Sequence, residues 1–119
     1  MSLISFLKRR TVNMTAYQRG VRLEYLARNV LRQQGYVVIR SAGSRSPIDL
    51  VALNKREVRL IQVKKAGQSL RLPLQQLRAW PAPPHTRKQV WVYEPARGRT
   101  KARWRVIELS ARKAPCIKT

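Results

Sequence analysis

An acid set inside an apolar run constrains this chain more than any other feature. The stretch "IDLVALNKREVRLIQVKKA", Ile48 to Ala66, holds two β-rich segments, 48–53 and 58–64, joined by the polar turn "NKRE" at 54–57. That pattern predicts a β-hairpin. Asp49 interrupts the first segment, where a lone buried carboxylate is costly unless it is paired or meets a cation. Strands alternate faces, so Asp49, Val51 and Leu53 share one side of their strand while Leu60, Gln62 and Lys64 share one side of theirs. Hairpin pairing brings the two sets together, and an acid, an amide and a lysine are expected at one place.

The rest of the chain frames that hairpin. From Thr15 on, Leu23, Leu26, Ala27, Val30 and Leu31 recur at three and four, the stripe of an amphipathic helix, with Gly35 as its stop. "YVVIR" at 36–40 reads as a strand and "SAGSRSP" at 41–47 as a flexible loop. Pro73 suits the first turn of a second helix running to about Trp80, which "PAPP" at 81–84 ends. "VWVYE" at 90–94 and "RWRVIEL" at 103–109 complete the sheet, with the basic loop "PARGRTKA" between them. The predicted order is αβββαββ, an α/β fold around one core, for which 119 residues suffice. The expected organisation is a mobile basic arm over 1–14, one domain over 15–110 and a basic tail over 111–119.

Charge points to the partner. Twenty-six Lys and Arg against 5 Asp and Glu give a net charge of +21. Such a surface repels itself and suits a polyanion, for which nucleic acid is the first choice. No apolar run approaches the ~18 residues of a spanning helix, and "LISFL" at 3–7 is too short for a secretory signal. No membrane partner is expected, and the expected location is the cytoplasm, or the host's cytoplasm for a virus-encoded chain. Cys116 stands alone, which excludes an internal disulfide and a zinc module.

In so basic a chain the position of each acid asks for a reason. Glu57 falls in the predicted turn, and Glu94 and Glu108 lie near strand ends among arginines, so solvated ion pairs account for them. Glu24 borders the apolar stripe of the first helix and can lean over the sheet edge, although helix geometry alone pairs it with Arg28. Asp49 has no local partner.

Arg19-Gly20 with Glu24, then "VVIRSAGSRSPIDLVAL", "RLIQVKKA", "VWVYE" and "RWRVIEL", resemble the archaeal-type Holliday junction resolvases of the PD-(D/E)XK nuclease superfamily over roughly Met14 to Leu109. The resemblance implies a restriction-endonuclease-like core, a mixed central sheet flanked by helices. It also implies a homodimer that uses Mg²⁺, with Mn²⁺ as a substitute and no small-molecule cofactor, to place paired nicks across a four-way DNA junction. Matched residue by residue, Glu24 stands at the helix-one acid, Asp49 at the first metal ligand, Lys64 at the catalytic lysine, and Gln62 where the family has a second metal-binding acid. The implied catalytic set is therefore Glu24, Asp49, Gln62 and Lys64. The implied ligands are Asp49, residue 62 and the Val63 carbonyl, with Glu24 holding outer-shell water or a second ion.

Hydrolysis of a phosphodiester needs an activated water and neutralisation of charge growing on the phosphate, both of which a carboxylate-held Mg²⁺ supplies. Gln62 offers one amide oxygen and no charge, so weak Mg²⁺ binding and slow or absent cutting are expected. Three explanations compete: a binding-only relative, compensation by a nearby acid, or deliberate inactivation of an enzyme with glutamate there. The third is preferred, because the amide is the isosteric replacement and no acid on that strand stands ready to compensate.

The same resemblance raises the 41–47 loop from a solvated turn to a DNA-contacting one. The expected DNA-binding set is Arg19, Arg40, Ser41, Gly43, Ser44, Arg45 and Lys65, acting on the sugar–phosphate backbone and on branch geometry. Leu74, Leu77, Trp80 and Trp91 are candidates for a two-fold interface, with Leu77 and Trp91 read as core. Two rivals stand beside the resolvase: a non-catalytic basic nucleic-acid-binding protein, and a nuclease of the same superfamily acting on linear or damaged DNA.

Overall fold

The first helix, α1, runs Ala16–Gln33 and both its ends are set by local chemistry. Thr15 and Gln18 form a capping box: the Gln18 N–H donates to Thr15 Oγ1 at 3.1 Å and the Thr15 N–H to Gln18 Oε1 at 2.9 Å. At the other end Gly35 turns the chain at φ 95°, and the Tyr36 N–H donates to the Leu31 carbonyl at 3.1 Å, closing the helix where the sequence predicted. A computed structural model describes residues 14–42 and 46–109, so nearly all of the expected arm and tail, and loop residues Gly43, Ser44 and Arg45, lie outside the described residues.

Five strands follow: β1 Val37–Arg40, β2 Leu50–Leu53, β3 Val58–Lys65, β4 Arg87–Glu94 and β5 Arg103–Glu108, with a second helix, α2, over Arg71–Ala79. They form one sheet in the order β1-β2-β3-β4-β5. Every neighbouring pair is antiparallel except β3 and β4, which are parallel with α2 as their crossover. The mixed sheet and the αβββαββ order agree with the sequence reading.

Strand alternation sorts the apolar residues into two cores. Leu50, Ala52, Ile61, Val63 and Trp91 pack with Ala27 and Leu31 of α1. Val51, Leu60, Val90 and Val92 pack with Leu74 and Leu77 of α2 on the other face. No described helix is long and apolar enough to cross a membrane.

Two strand starts differ from expectation by more than one residue, those of β2 and β4. β2 begins at Leu50 rather than Ile48: Ile48 and Val51 share the α2-side core, which strict alternation forbids, so the chain bends at Asp49. α2 begins at Arg71, with Leu70 anchored in the core, so Pro73 falls in the first turn as expected, where no intrahelical acceptor waits for its missing N–H. β4 starts at Arg87, three residues early, because its two leading cations are satisfied. Arg87 pairs with Glu57 and Glu108, and the Lys88 ammonium donates to the Arg78 and Trp80 carbonyls at the end of α2.

Candidate active site

The bend at Asp49 creates the site. Val51 lies opposite Leu60 and Leu50 opposite Ile61, yet the Asp49 N–H also donates to the Ile61 carbonyl, at 2.9 Å. Asp49 and Leu50 thus both oppose Ile61, the pattern of a β-bulge, and Asp49 leaves the face it was expected to share with Val51, which packs toward α2, and lines the clefts beside α1. Its Oδ2 accepts the Val63 N–H at 2.8 Å, which pins the carboxylate to the partner strand. Ser41, just past β1, is tied to the same place by its N–H on the Asp49 carbonyl, 2.9 Å.

Helix α1 brings Glu24 over this edge. A cleft of about 420 Å³ is lined by Glu24, Asp49, Gln62 and Lys64 together, with Arg19 and Lys65 also in its wall. A smaller one of about 230 Å³ holds Arg40 and Ser41 and shares Glu24 and Asp49 with the first. The Glu24 carboxylate pairs with Arg40 Nε at 2.8 Å and not with Arg28, so the helix-internal pair expected from spacing gives way to a contact between helix and sheet. Arg28 and Arg40 instead both lie against the Tyr25 ring, 4.7 and 5.0 Å from its centroid.

Asp49 is the one acid of the five that makes no ion pair within 4 Å among the described residues; the other four are matched to arginines. Burial pushes its carboxyl up to about 6, helped by the nearby charge of Glu24 and opposed by the Val63 N–H and by Lys64 and Arg40. Gln62 shows the complementary feature. Its side chain is 8% exposed and its Oε1 is buried with no hydrogen-bond donor. A buried acceptor without a donor, in a cleft that a partly buried carboxylate also lines, is the polarity a cation requires. No group of three or more His, Cys, Asp or Glu gathers among the described residues.

Glu24, Asp49, Gln62, Val63, Lys64, Arg19, Arg40, Ser41 and Lys65 thus border one pair of joined clefts, while Gly43, Ser44 and Arg45 fall outside the described residues. Sequence reasoning gave no site role to Gly20, although the resemblance includes it beside Arg19, and did not single out Tyr17 or Gln68, all three of which stand in the cleft walls. Only Gly20 carried a signal, as a glycine in a helical stripe.

The family model of the archaeal Holliday junction resolvase (Hjc) matches residues 15–78, more than half of the chain. The chain belongs to the Hjc family. Hjc proteins are nucleases, and the matched segment spans α1, the hairpin and most of α2. The chain is also similar to a solved structure of Archaeoglobus fulgidus Hjc, described as a Holliday junction resolvase from an archaeal hyperthermophile, at 26% sequence identity and a TM-score of 0.59. The likeness covers 76% of this chain and 72% of that one. No curated protein matches the chain.

Proposed function

We propose that this Hjc-family chain is a metal-dependent endonuclease that nicks four-way DNA junctions, working as a homodimer and slowed by the amide at residue 62. The observation that carries the reading is that Gln62, with its orphaned oxygen, and the partly buried Asp49 line one cleft together with Glu24 and Lys64. Asp49, the Gln62 oxygen and the Val63 carbonyl would hold Mg²⁺ or Mn²⁺, and Glu24 would bind outer-shell water or a second ion. The ion supplies charge neutralisation at the phosphate and a more acidic water. Lys64 orients the attacking water, and Arg40 holds Glu24 over the cleft. Arg19, Ser41 and Lys65 contact phosphates, with Gly43, Ser44 and Arg45 contributing from the adjoining loop.

An amide leaves this donor set one negative charge short, which weakens ion binding more than it disturbs shape. Gln62→Glu should therefore raise Mg²⁺-dependent cleavage of a four-way junction by about two or more orders of magnitude, since each ~1.4 kcal/mol of transition-state stabilisation is tenfold in rate. Fold and DNA affinity should change little. Cleavage assays on four-way, linear and single-stranded DNA, with parent and variant side by side, check this. A Gln62→Glu chain that binds junctions well but stays inert in Mg²⁺ and Mn²⁺ would replace nuclease by binding protein. Preference for linear duplex would move the chain to another substrate within the superfamily.

A further inference from the structure

Helix α1 carries a glycine, Gly20, in its second turn, and nothing in the fold asks for it. Its φ is not among the positive values found at Gly35, Gly67 and Gly98, and a Cβ placed on it would meet no atom within 4 Å outside its own helix. Glycine is the poorest helix former after proline, because it keeps the most backbone freedom in the unfolded chain. A residue that weakens its helix and relieves no crowding has its reason outside the folded chain.

Its position supplies that reason. Gly20 and Ala16, one turn earlier, line both clefts, and the only other residues common to the two are Glu24 and Asp49. One cleft has Arg40 and Ser41 in its far wall, and the other has Lys64, Lys65 and Gln68. Anything long and anionic that runs between these walls past Asp49 crosses the helix where the face shared by the two clefts presents Ala16 and Gly20 on successive turns, between Tyr17 and Arg19. Gln62, more than nine-tenths buried and with its side-chain oxygen unpartnered, lines the larger of these clefts and independently marks it as a place for a ligand.

We propose that the cut DNA strand crosses α1 at Gly20, with its sugar–phosphate backbone resting on the bare helix, and that Gly20 sets how deeply the strand seats over Asp49 and Glu24. This rests on the nuclease reading above and adds a positioning residue to it. A side chain at residue 20 fills the saddle between the clefts and lifts the strand. Lifting matters because a misplacement of about 1 Å can cost roughly a hundredfold in rate.

The test uses effects of opposite sign. Full-length Gly20→Ala and Gly20→Leu are compared with the parent and with Gln33→Leu, an exposed change at the far end of α1, for melting temperature and for binding of a labelled four-way junction in EDTA. Both glycine variants should melt higher than the parent, as better helix formers with room for a Cβ. Junction affinity should fall by about threefold for Ala and about tenfold or more for Leu, the cost of overfilling a fitted contact, while Gln33→Leu binds as the parent does. Gly20→Ala alone decides the matter if the leucine variant is poorly folded. Parent-like affinity in variants that melt at or above the parent overturns the proposal, and so does a lower melting temperature for Gly20→Ala, which would give the glycine a folding role. A parent that binds neither junction nor duplex of equal length overturns the nuclease reading itself.

Discussion

Asp49 is held by one oxygen and loaded by its surroundings. The Val63 N–H fixes its direction, while burial and the charge of Glu24 make ionisation harder, so the folded chain binds a proton there up to about pH 6 against an ordinary value of 3.8. A carboxyl raised in the folded state favours folding below its unfolded value and loses that contribution as pH rises through its folded one. In EDTA the parent should therefore lose stability between about pH 4 and 6 relative to Asp49→Asn, which keeps the shape but does not titrate. Thermal denaturation of both across that window checks this. Parallel curves would mean that water reaches Asp49 freely. The same strain is relieved by a bound cation, so Mg²⁺ should raise the parent's melting temperature at pH 7.5 and leave Asp49→Asn nearly unmoved.

Elements are tied together by the acids that the sequence assigned to solvent. Glu57 ends the hairpin turn, yet it accepts from the Tyr36 hydroxyl, from Arg59 and from Arg87, linking the end of α1 to β3 and β4. The Tyr36 hydroxyl first, then Arg59 and Arg87, hold its carboxyl down at about 2. Arg87 carries the link onward to Glu108 on β5, with Nη2 2.8 Å from its carboxylate. A depressed carboxyl stabilises above its unfolded value near 4.5 and loses that contribution as pH falls toward 2. Glu57→Ala should cost roughly 1 kcal/mol or more at pH 7, since three donors lose their acceptor together. Its cost should shrink toward nothing near pH 2, which chemical denaturation at the two pH values measures. An equal cost at both would place the effect in packing or in the turn itself.

At the scale of the whole molecule, the sheet is unevenly covered. Helix α2 is short and packs toward β4, which leaves Val37 and Ile39 of β1 63% and 56% exposed, with Leu72 of α2 58% exposed. Trp80 is 38% exposed, whereas Leu77 and Trp91 are buried in the monomer and are unable to serve as a first line of contact. Paired nicks across a four-way junction need two sites related by a two-fold axis, and an apolar face on a chain this charged suits a second copy. Sedimentation should therefore give a dimer at micromolar concentration without DNA, and Val37→Lys with Ile39→Lys should give a folded monomer. A parent that sediments as a monomer with and without junction would end the dimer reading.

The αβββαββ order, the mixed sheet, the turn at 54–57 and the helix stop at Gly35 were legible because each rests on chemistry within a few residues: period, turn formers, and a backbone angle that favours glycine. Alternation alone put Asp49 on the face of Val51, whereas Val51 packs toward α2 and Asp49 lines the clefts beside α1, because the bulge at 49–50 breaks the period of two. What the chain order leaves open is which long, flexible charges meet. Glu24 has Arg28 one turn away in sequence and Arg40 beside it in space, and only the packing of α1 on β1 and β2 selects Arg40. The start of β4 moved for the same reason, because Arg87 and Lys88 are held by partners distant in sequence. The meeting of two clefts at Gly20 belongs wholly to tertiary structure: a glycine shows in the sequence as a weak point of a helix, and only the sheet beneath it makes that weak point a saddle.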